Sequence, residues 1–271
     1  MIRNHEIVTV EDMQRGLIAL GCGDYDAVIV HTSLSAFGWV CGGAQAVVEG
    51  LLAASGSTTT VVMPTFSGDW SDPATWKKPA VDPLAVGRVR AAMPRFDARL
   101  TATRGMGAVA ECFRTHEAAR RSGHPQVSFT ALGPQADRIV ALHALENRFG
   151  ETSPLAVLDA MHSGIIFLGT DFRRCTAFHL AEYRARYPAR KSVTRLVPTW
   201  DHAGANWRTV DDIALIEDDF PEIGAECLRR SSHRKRRIGA AECLSLPFHE
   251  TVATAVSMMN ARDNPDPQIV R

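Results

Sequence analysis

The stretch Gly164-Ile-Ile-Phe-Leu-Gly169, followed shortly by Thr176-Ala-Phe-His-Leu-Ala-Glu182, carries the most information about the fold. Its apolar start predicts a buried strand at 165–168, and the residues after Gly169 predict a turn into a helix. Thr176, His179 and Glu182 recur every third residue and therefore share one helix face. An imidazole near a helix N-terminus, one turn before a carboxylate, suits a general base at neutral pH. A buried structural histidine beside a solvated carboxylate explains the same residues equally well.

Apolar runs alternate with helical patterns along most of the chain. Strands are predicted at 27–31, 60–63, 127–132 and 165–168, and helices at 10–20, 44–53, 106–115, 134–142 and 155–161. Residues 66–94, rich in Trp, Pro and Asp, are predicted to form a long irregular loop, and loops of this length are more often functional than idle.

The pattern changes after Tyr187. Strands at 192–197 and 206–210 are predicted to form a hairpin around Asp201-His-Ala-Gly204, with helices at 220–228 and 249–259 to follow. The whole pattern predicts an α/β sandwich, in which a mainly parallel central sheet is flanked by helices and joined to a C-terminal β-hairpin and helical portion.

Size and composition limit the class of protein. The 271 residues show no repeat or linker, so we expect a single domain over 1–271, with 263–271 as a disordered tail. A formal net charge of zero argues against a nucleic-acid partner. The N-terminus lacks the apolar core of a signal peptide, and no apolar run is long enough to span a membrane. Six cysteines without a Cys-x-x-Cys pair favour free thiols in the cytoplasm.

Two junctions of small residues each join an extended segment to a helix. They are His31-Thr-Ser-Leu-Ser-Ala-Phe-Gly-Trp-Val-Cys-Gly-Gly43 and Thr101-Ala-Thr-Arg-Gly-Met-Gly-Ala108. Backbone N–H groups at such junctions can bind phosphate, and Arg104 can add a cation. Neither matches a dinucleotide or P-loop motif, and a tight turn that only packs a strand on a helix remains the alternative.

Charged residues form separate acidic and basic groups. Acidic residues concentrate at Asp69-Trp-Ser-Asp72, at Asp211-Asp212 and from Glu217 to Glu222, where they can line a cleft for a polycation or remain solvated. The basic run Arg234-Lys-Arg-Arg237, close to Arg229-Arg230, is predicted either to contact an anion or to form a flexible exposed loop.

Two other kinds of chemistry remain open. His179 and Glu182 supply two metal ligands, but the sequence contains neither His-Glu-x-x-His nor a second cluster at ligand spacing, so no metal is expected. Cys175 stands four residues before His179, which permits a thiol nucleophile if both lie on one helix, although nothing marks that thiol as activated.

A series of short motifs runs in a fixed order from about residue 10 to residue 260. They are His31–Ser35, Gly38, Gly42-Gly43, Val62–Thr65, Ser71–Pro73, Phe96-Asp97, Thr103–Ala108, Arg121–Pro125, Ser128, Ser153–Leu155, Leu168-Gly169, Thr176–Glu182 and Asp218–Gly224. Together they resemble the aminoglycoside 3-N-acetyltransferase family, whose fold differs from that of the commonest acetyltransferases. Each motif alone is weak, but the ordered set is specific.

The resemblance implies acetyl transfer from acetyl-coenzyme A (acetyl-CoA) to an amine, typically N3 of a 2-deoxystreptamine ring, without a metal. It also implies the roles of individual residues. Catalytic positions are Thr176, His179, Glu182 and Glu217; coenzyme positions are His31, Thr32, Ser33, Ser35, Phe37, Gly38, Thr103, Arg104, Gly105 and Met106; acceptor positions are Asp69, Asp72, Asp218 and Asp219. The partner is then an aminoglycoside or another polyamine, and the protein a monomer or a homodimer.

The expected mechanism is direct transfer within a ternary complex. His179 removes a proton from the acceptor ammonium, and Glu182 or Glu217 orients the imidazole. Backbone N–H groups near Gly38 and the hydroxyl of Thr176 are the expected donors to the oxyanion. The alternatives are acylation of a non-antibiotic amine, a non-catalytic protein that binds coenzyme A or an aminoglycoside, and a metal-dependent hydrolase that uses His179 and Glu182 as ligands.

Overall fold

The computed structural model describes residues 7–186 and 190–261. The expected tail at 263–271 and the first six residues lie outside the described residues. In chain order the strands are β1 (Ile7–Val8), β2 (Ala27–Thr32), β3 (Trp39–Val40), β4 (Thr60–Pro64), β5 (Arg120–Arg121), β6 (Phe129–Leu132), β7 (Ser163–Leu168), β8 (Ser192–Asp201), β9 (Gly204–Ile213), β10 (Arg234–Ile238) and β11 (Ala241–Pro247). The helices are α1 (Val10–Ala19), α2 (Gly43–Ser55), α3 (Val86–Ala92), α4 (Gly107–Arg114), α5 (Ala136–Val140), α6 (Pro154–Asp159), α7 (Ala177–Arg184), α8 (Phe220–Arg230) and α9 (Phe248–Ala261).

A seven-stranded sheet in the order β10-β11-β7-β2-β4-β6-β5 organises the molecule. The three central strands β7, β2 and β4 are parallel, and the pairs on either side of them are antiparallel. The predicted α/β fold with helices flanking a central sheet is therefore confirmed, with the parallel pairing concentrated in the middle of the sheet.

The side chains of the central strands alternate between two hydrophobic cores. In β2, Ile29 packs into the core that includes α7 and α9, whereas Val28 and Val30 pack into the core that includes α1 and α2. The same alternation in β7 sends Phe167 to the α7 side and Leu168 to the α2 side. Because successive strand residues point to opposite faces, each central strand is buried on both sides and reads as a continuous apolar run.

The long segment at residues 66–94 is more ordered than the sequence indicates. It contains helix α3 and two 3₁₀ turns, at Gly68–Trp70 and Pro73–Thr75, so the prediction of an irregular loop is wrong in this part. The β8–β9 hairpin, predicted around Asp201–Gly204, packs against α3: the indole N–H groups of Trp200 and Trp207 donate to the backbone oxygens of Met93 and Arg90. Segment and hairpin thus form one connected layer.

The basic run at 234–237 is not a flexible loop. It forms most of β10, an edge strand of the main sheet that pairs antiparallel with β11. Among residues 7–186 and 190–261, no helix combines the length and the apolar character that crossing a bilayer requires.

Candidate active site

An open cleft of about 1500 Å³ lies where the central parallel strands end. Its wall includes His31 and Thr32 at the end of β2, Pro64 at the end of β4 and Gly169 just after β7. The carboxyl ends of parallel strands meet at one edge of a sheet, and ligands of open α/β sheets bind outside that edge. The sheet topology therefore creates the cleft and brings residues from distant parts of the sequence into it.

His179 projects into this cleft from the first turn of α7. A 2.7 Å hydrogen bond joins its Nδ1 to Oε2 of Glu182, one turn further along the helix. Glu182 is 1% exposed, and its other oxygen accepts a 2.5 Å hydrogen bond from the backbone N–H of Ile216. An ionised carboxylate only accepts hydrogen bonds, so Nδ1 carries the proton and Nε2 keeps the basic lone pair.

The ring of His179 is held between aromatic side chains. Phe149 stacks on it at 4.8 Å between ring centroids, and Phe220 lies at 5.3 Å. Nothing in the sequence around Phe149 indicates this contact, because the residue lies 30 positions before His179 and has no motif of its own. The imidazole is 7% exposed, so packing and one hydrogen bond fix its orientation.

Of the two carboxylates considered for orienting His179, Glu182 has the better geometry. Oε1 of Glu217 lies 3.6 Å from Nε2 of His179, and the Glu217 side chain is 61% exposed. Glu217 therefore lies on the cleft side of the imidazole. Thr176 also lines the cleft, at the start of α7.

His31 is the second imidazole in the cleft wall. It is 7% exposed and stacks on Phe167 at 5.4 Å. Burial lowers the pKa of His31 to about 3, with a smaller contribution from repulsion by His179 when that imidazole is protonated, so His31 is neutral at physiological pH. Among the described residues, neither Nε2 of His31 nor the hydroxyl of Thr32 has a hydrogen-bond partner.

Both small-residue junctions contribute to the wall of the cleft. Ser33, Ser35, Gly38 and Gly43 line it on the side of α2, and Gly105, Met106 and Gly107 line it on the side of α4. Gly105 and Gly107 have φ values of 73° and 84°, a conformation that disfavours other residues, and a Cβ at either position would meet nothing within 4 Å. The backbone conformation therefore favours glycine at both positions, and the space beside them is open.

Three of the coenzyme positions implied by the resemblance lie away from the cleft surface. Phe37 is buried in the core on the α2 side, and the backbone N–H of Thr103 donates to Glu111. Arg104 forms a 2.9 Å ion pair with Asp69. A side-chain contact with the coenzyme is thus unsupported for Phe37, and the phosphate contact expected of Arg104 competes with a carboxylate.

The four acceptor positions implied by the resemblance also differ in whether they line the cleft. Asp218 lines the cleft beside Glu217. Asp72 lies outside it, where it receives two hydrogen bonds from Arg90, of 2.9 and 2.7 Å, and caps the 3₁₀ turn at Pro73. Asp69 is paired with Arg104, and Asp219 stands at the N-terminus of α8, also outside the lining. The expected set of four acceptor carboxylates is therefore reduced to one in the cleft wall.

Two cations in the cleft wall were missed by the sequence analysis. Arg173 and Arg174 line it just before α7, and Arg173 pairs with Asp171 at 2.6 Å. The tandem arginines between a strand and a helix are the sequence signal that could have indicated them.

The geometry gives little support to Cys175 as a nucleophile or to His179 and Glu182 as metal ligands. Cys175 precedes α7 instead of sharing the helix with His179, and burial raises the pKa of its thiol, so the thiol stays protonated. In the described parts of the chain, no three His, Cys, Asp or Glu side chains are grouped as a metal ion requires. The Glu182 carboxylate is already engaged by an imidazole and a backbone amide.

Known proteins resemble this chain in both sequence and structure. A sequence model of the family described as "Aminoglycoside 3-N-acetyltransferase" matches residues 29–260. The chain belongs to this family.

Individual relatives resemble the chain over most of its length. The SPbeta prophage-derived aminoglycoside N(3')-acetyltransferase-like protein YokD of Bacillus subtilis is 36% identical over 90% of this chain and 89% of its own. Its crystal structure superimposes with a TM-score of 0.89 over 96% of both chains at 34% identity. Aminoglycoside N(3)-acetyltransferase VIII of Streptomyces fradiae is 35% identical over 76% of this chain and 71% of its own. The structure described as "AAC-IIIb binary with CoASH" has a TM-score of 0.82 at 28% identity, covering 96% of this chain and all of the other.

Proposed function

We propose that this enzyme transfers the acetyl group of acetyl-CoA to the 3-amino group of the 2-deoxystreptamine ring of aminoglycosides, and so confers resistance to them. Membership of the family and the length of chain shared with named N(3)-acetyltransferases support the reaction and the donor. The finer proposal is that transfer is direct, with His179 as the general base.

One observation carries that assignment: Glu182 engages Nδ1 of His179, and Nε2 is left basic in a cleft large enough for both substrates. A general base must reach the proton it removes, and Nε2 is the ring nitrogen on the cleft side. His179 takes a proton from the acceptor ammonium, and the free amine attacks the thioester carbonyl. The C–N bond forms, the C–S bond breaks, and the proton on His179 passes to the departing thiolate, while the second proton that the nitrogen loses on becoming an amide goes to solvent.

The coenzyme is proposed to lie between the two small-residue junctions. The N-terminal residues Gly43 of α2 and Gly107 of α4 both line the cleft. Helix N-termini bind phosphate because their first N–H groups are unpaired and the helix dipole is positive there. Arg173 and Arg174 add positive charge at the same wall. These groups suit the pyrophosphate and 3'-phosphate of coenzyme A.

The acceptor is proposed to approach from the side of Glu217 and Asp218. Both carboxylates line the cleft near His179, where they can receive ammonium groups of a polycation. A cytoplasmic location, where acetyl-CoA is available and the six free thiols are stable, is part of the proposal, as is a monomeric or homodimeric state.

Thiol release from acetyl-CoA in the presence of a panel of aminoglycosides tests the function. The panel includes pairs that differ only in whether the 3-amino group is free. We expect turnover only with a free 3-amino group, and a loss of about 10²–10⁴-fold in kcat for His179→Ala, the usual cost of removing a general base. His202→Ala, in the exposed turn of the β8–β9 hairpin, is the matched control. Transfer that ignores the 3-amino group, or a His179→Ala variant as active as wild type, would contradict the proposal.

A second candidate is acylation of an amine that carries fewer charges than an aminoglycoside. The observation that favours it is the pairing of Asp69 with Arg104 and of Asp72 with Arg90, which removes two carboxylates from the expected acceptor set. It predicts that the aminoglycoside panel is inactive although acetyl-CoA binds, and that simple diamines are acetylated. A non-catalytic binding protein would release no thiol with either class of amine.

A further inference from the structure

We infer that His31 is a second catalytic residue, whose Nε2–H donates a hydrogen bond to the thioester carbonyl oxygen of acetyl-CoA and stabilises the oxyanion formed from it. The inference rests on the proposed function, since it requires the acetyl thioester to lie beside His179. It adds a side-chain donor to those expected near Gly38 and at Thr176.

The fold places His31 on the same side of the sheet as His179. Residues 27, 29 and 31 of β2 alternate toward the core that contains α7, and Ala27 and Ile29 both belong to that core. His31 is paired in register with Phe167 of β7 and stacks on its ring at 5.4 Å. His31 and His179 line the same cleft, and they are close enough for a charge on His179 to lower the pKa of His31.

The imidazole of His31 has an unsatisfied hydrogen-bonding atom in a buried position, within the described part of the chain. Its Nε2 is buried and makes no hydrogen bond within the described part of the chain. An unsatisfied buried polar group destabilises the folded state, and native proteins retain few of them. A group held in this state beside a general base is preorganised for a ligand atom that is present only during the reaction.

The charge state of His31 fits a donor to an oxyanion. The imidazole is neutral at physiological pH, because burial disfavours its charged form. A neutral imidazole still donates one N–H. A cationic one would oppose the protonation of His179, the step that frees the acceptor amine. The role is therefore that of an electrophile that transfers no proton.

The step balances as follows. The acceptor nitrogen forms a bond to the carbonyl carbon, and the C=O π electrons move onto oxygen, where His31 Nε2–H holds the negative charge. The C=O bond then re-forms as the C–S bond breaks. The thiolate takes its proton from His179, the surplus proton on the nitrogen that becomes the amide passes to solvent, and His31 ends the cycle with the proton it began with.

The carbonyl carbon of bound acetyl-CoA, labelled with ¹³C, reports the hydrogen bond directly and needs no acceptor. A hydrogen bond to the oxygen moves this resonance downfield from its position in free acetyl-CoA. We expect the downfield shift in wild type and its loss in His31→Leu, which fills a similar volume without a donor. His31→Gln, which keeps an N–H donor, is expected to retain part of the shift. The ¹⁵N spectrum of wild type is expected to show His31 as a neutral ring protonated at Nε2.

His124→Leu is the matched control. His124, like His31, is buried and has an Nε2 without a partner among the described residues, and burial also lowers its pKa, but it does not line the cleft. It should leave the carbonyl resonance where wild type has it, whatever it does to stability. A resonance that moves equally in His31→Leu and His124→Leu would overturn the inference.

Kinetics provide the second measurement. We expect His31→Leu to lower kcat by about 10²–10³-fold, the usual cost of losing one oxyanion donor, with KM for acetyl-CoA unchanged. If His31→Leu does not fold, His31→Gln decides: a variant that loses both the shift and kcat although acetyl-CoA binds contradicts the role of the N–H. A wild-type protein that fails to bind acetyl-CoA in calorimetry would overturn the proposed function itself. Normal binding with an unshifted carbonyl overturns only the role of His31.

Discussion

Arg104 and Asp69 form an ion pair, with Nη1 of the guanidinium 2.9 Å from Oδ1 of the carboxylate. The first residue is the cation expected to reach a phosphate of the coenzyme, and the second is a carboxylate expected to hold the acceptor. Arg104 and Asp69 are instead paired with each other, and both side chains are about half exposed. Of the carboxylates expected to serve catalysis or the acceptor, Glu217 and Asp218 are exposed in the cleft wall.

Because Asp69 is paired and Asp218 lines the cleft, the two carboxylates are predicted to differ in their effect on acceptor binding. We expect Asp218→Asn to raise the acceptor KM by about two- to fivefold, which corresponds to the ~0.5–1 kcal/mol of an exposed ion pair. Asp69→Asn is expected to change this KM less, because its carboxylate is paired and outside the cleft. Steady-state kinetics at saturating acetyl-CoA measure both, with Asp201→Asn at the hairpin turn as control. A larger rise in acceptor KM for Asp69→Asn than for Asp218→Asn would show that Asp69 contacts the acceptor.

Glu182 and Glu217 are expected to differ sharply in their effect on kcat. In Glu182→Gln an amide replaces the acceptor of the Nδ1 proton, which favours the tautomer with the proton on Nε2. We expect kcat to fall by about 10²–10⁴-fold, close to the loss of the base itself. Glu217→Gln, at an exposed side chain 3.6 Å from Nε2, should cost much less. Single-turnover rates of the two variants measure the difference, and equal losses would contradict it.

Asp72 is predicted to affect stability and not catalysis. Its carboxylate accepts two hydrogen bonds from Arg90, which in turn lies near the ring of Trp207 in the hairpin. We expect Asp72→Asn to lower the free energy of unfolding by about 1.5–3 kcal/mol, the range for hydrogen bonds to charged groups. Asp69→Asn, whose ion pair is more exposed, should cost less than about 1 kcal/mol. Urea titrations give both values. A raised acceptor KM in Asp72→Asn at full stability would show that this carboxylate serves the acceptor.

Buried imidazoles make stability depend on pH. Burial lowers the pKa of His31 to about 3 and that of His143 to about 4, against about 6.5 in the unfolded chain. Between pH 6.5 and 4 the unfolded state therefore binds more protons, and acidification favours unfolding. Each such histidine removes on the order of 2 kcal/mol of stability between pH 7 and pH 5.

Urea titrations at pH 7, 6 and 5 test this dependence, since most carboxylates stay ionised in that window. Wild type is expected to lose stability steadily as the pH falls. His31→Leu should lose less over the same interval, because one of the groups that bind a proton on unfolding is gone. Identical slopes for the two proteins would mean that His31 has the same pKa in the folded and unfolded states.

Cys175 is predicted to be dispensable for the chemistry. Its thiol is fully buried with a raised pKa, and it lies before the helix that carries His179. Cys175→Ala should keep kcat near that of wild type and should show no burst of thiol release before steady state. An acyl-enzyme that is trapped in wild type and absent in Cys175→Ala would contradict direct transfer.

Local patterns allowed much of the fold to be predicted, and contacts between distant residues account for most of the rest. The central strands were predictable because burial on both faces makes their sequences continuously apolar. Strand β10 was missed because its exposed side chains are cationic, and its pairing depends on β11. A periodic hydrophobic pattern can identify only elements that bury a face.

The same distinction applies to the site. Thr176, His179 and Glu182 were found from their spacing on a single helix. The partner of Asp72 is Arg90, 18 residues away, and no spacing rule connects the two. The contact between Phe149 and His179 likewise depends on how helices pack on the sheet. Acidic residues in a sequence indicate charge, but only the structure determines which of them are already paired.

Both edges of the seven-stranded sheet carry cations. At one end β10 presents the side chains of Arg234, Lys235, Arg236 and Arg237, and at the other β5 consists of Arg120 and Arg121 alone. An exposed edge offers unpaired backbone groups to any passing strand, and positive charge or a very short strand makes it a poor template. Two molecules that meet edge to edge would bring like charges together at either end. The cationic edges thus disfavour edge-to-edge pairing of sheets and oppose growth into aggregates.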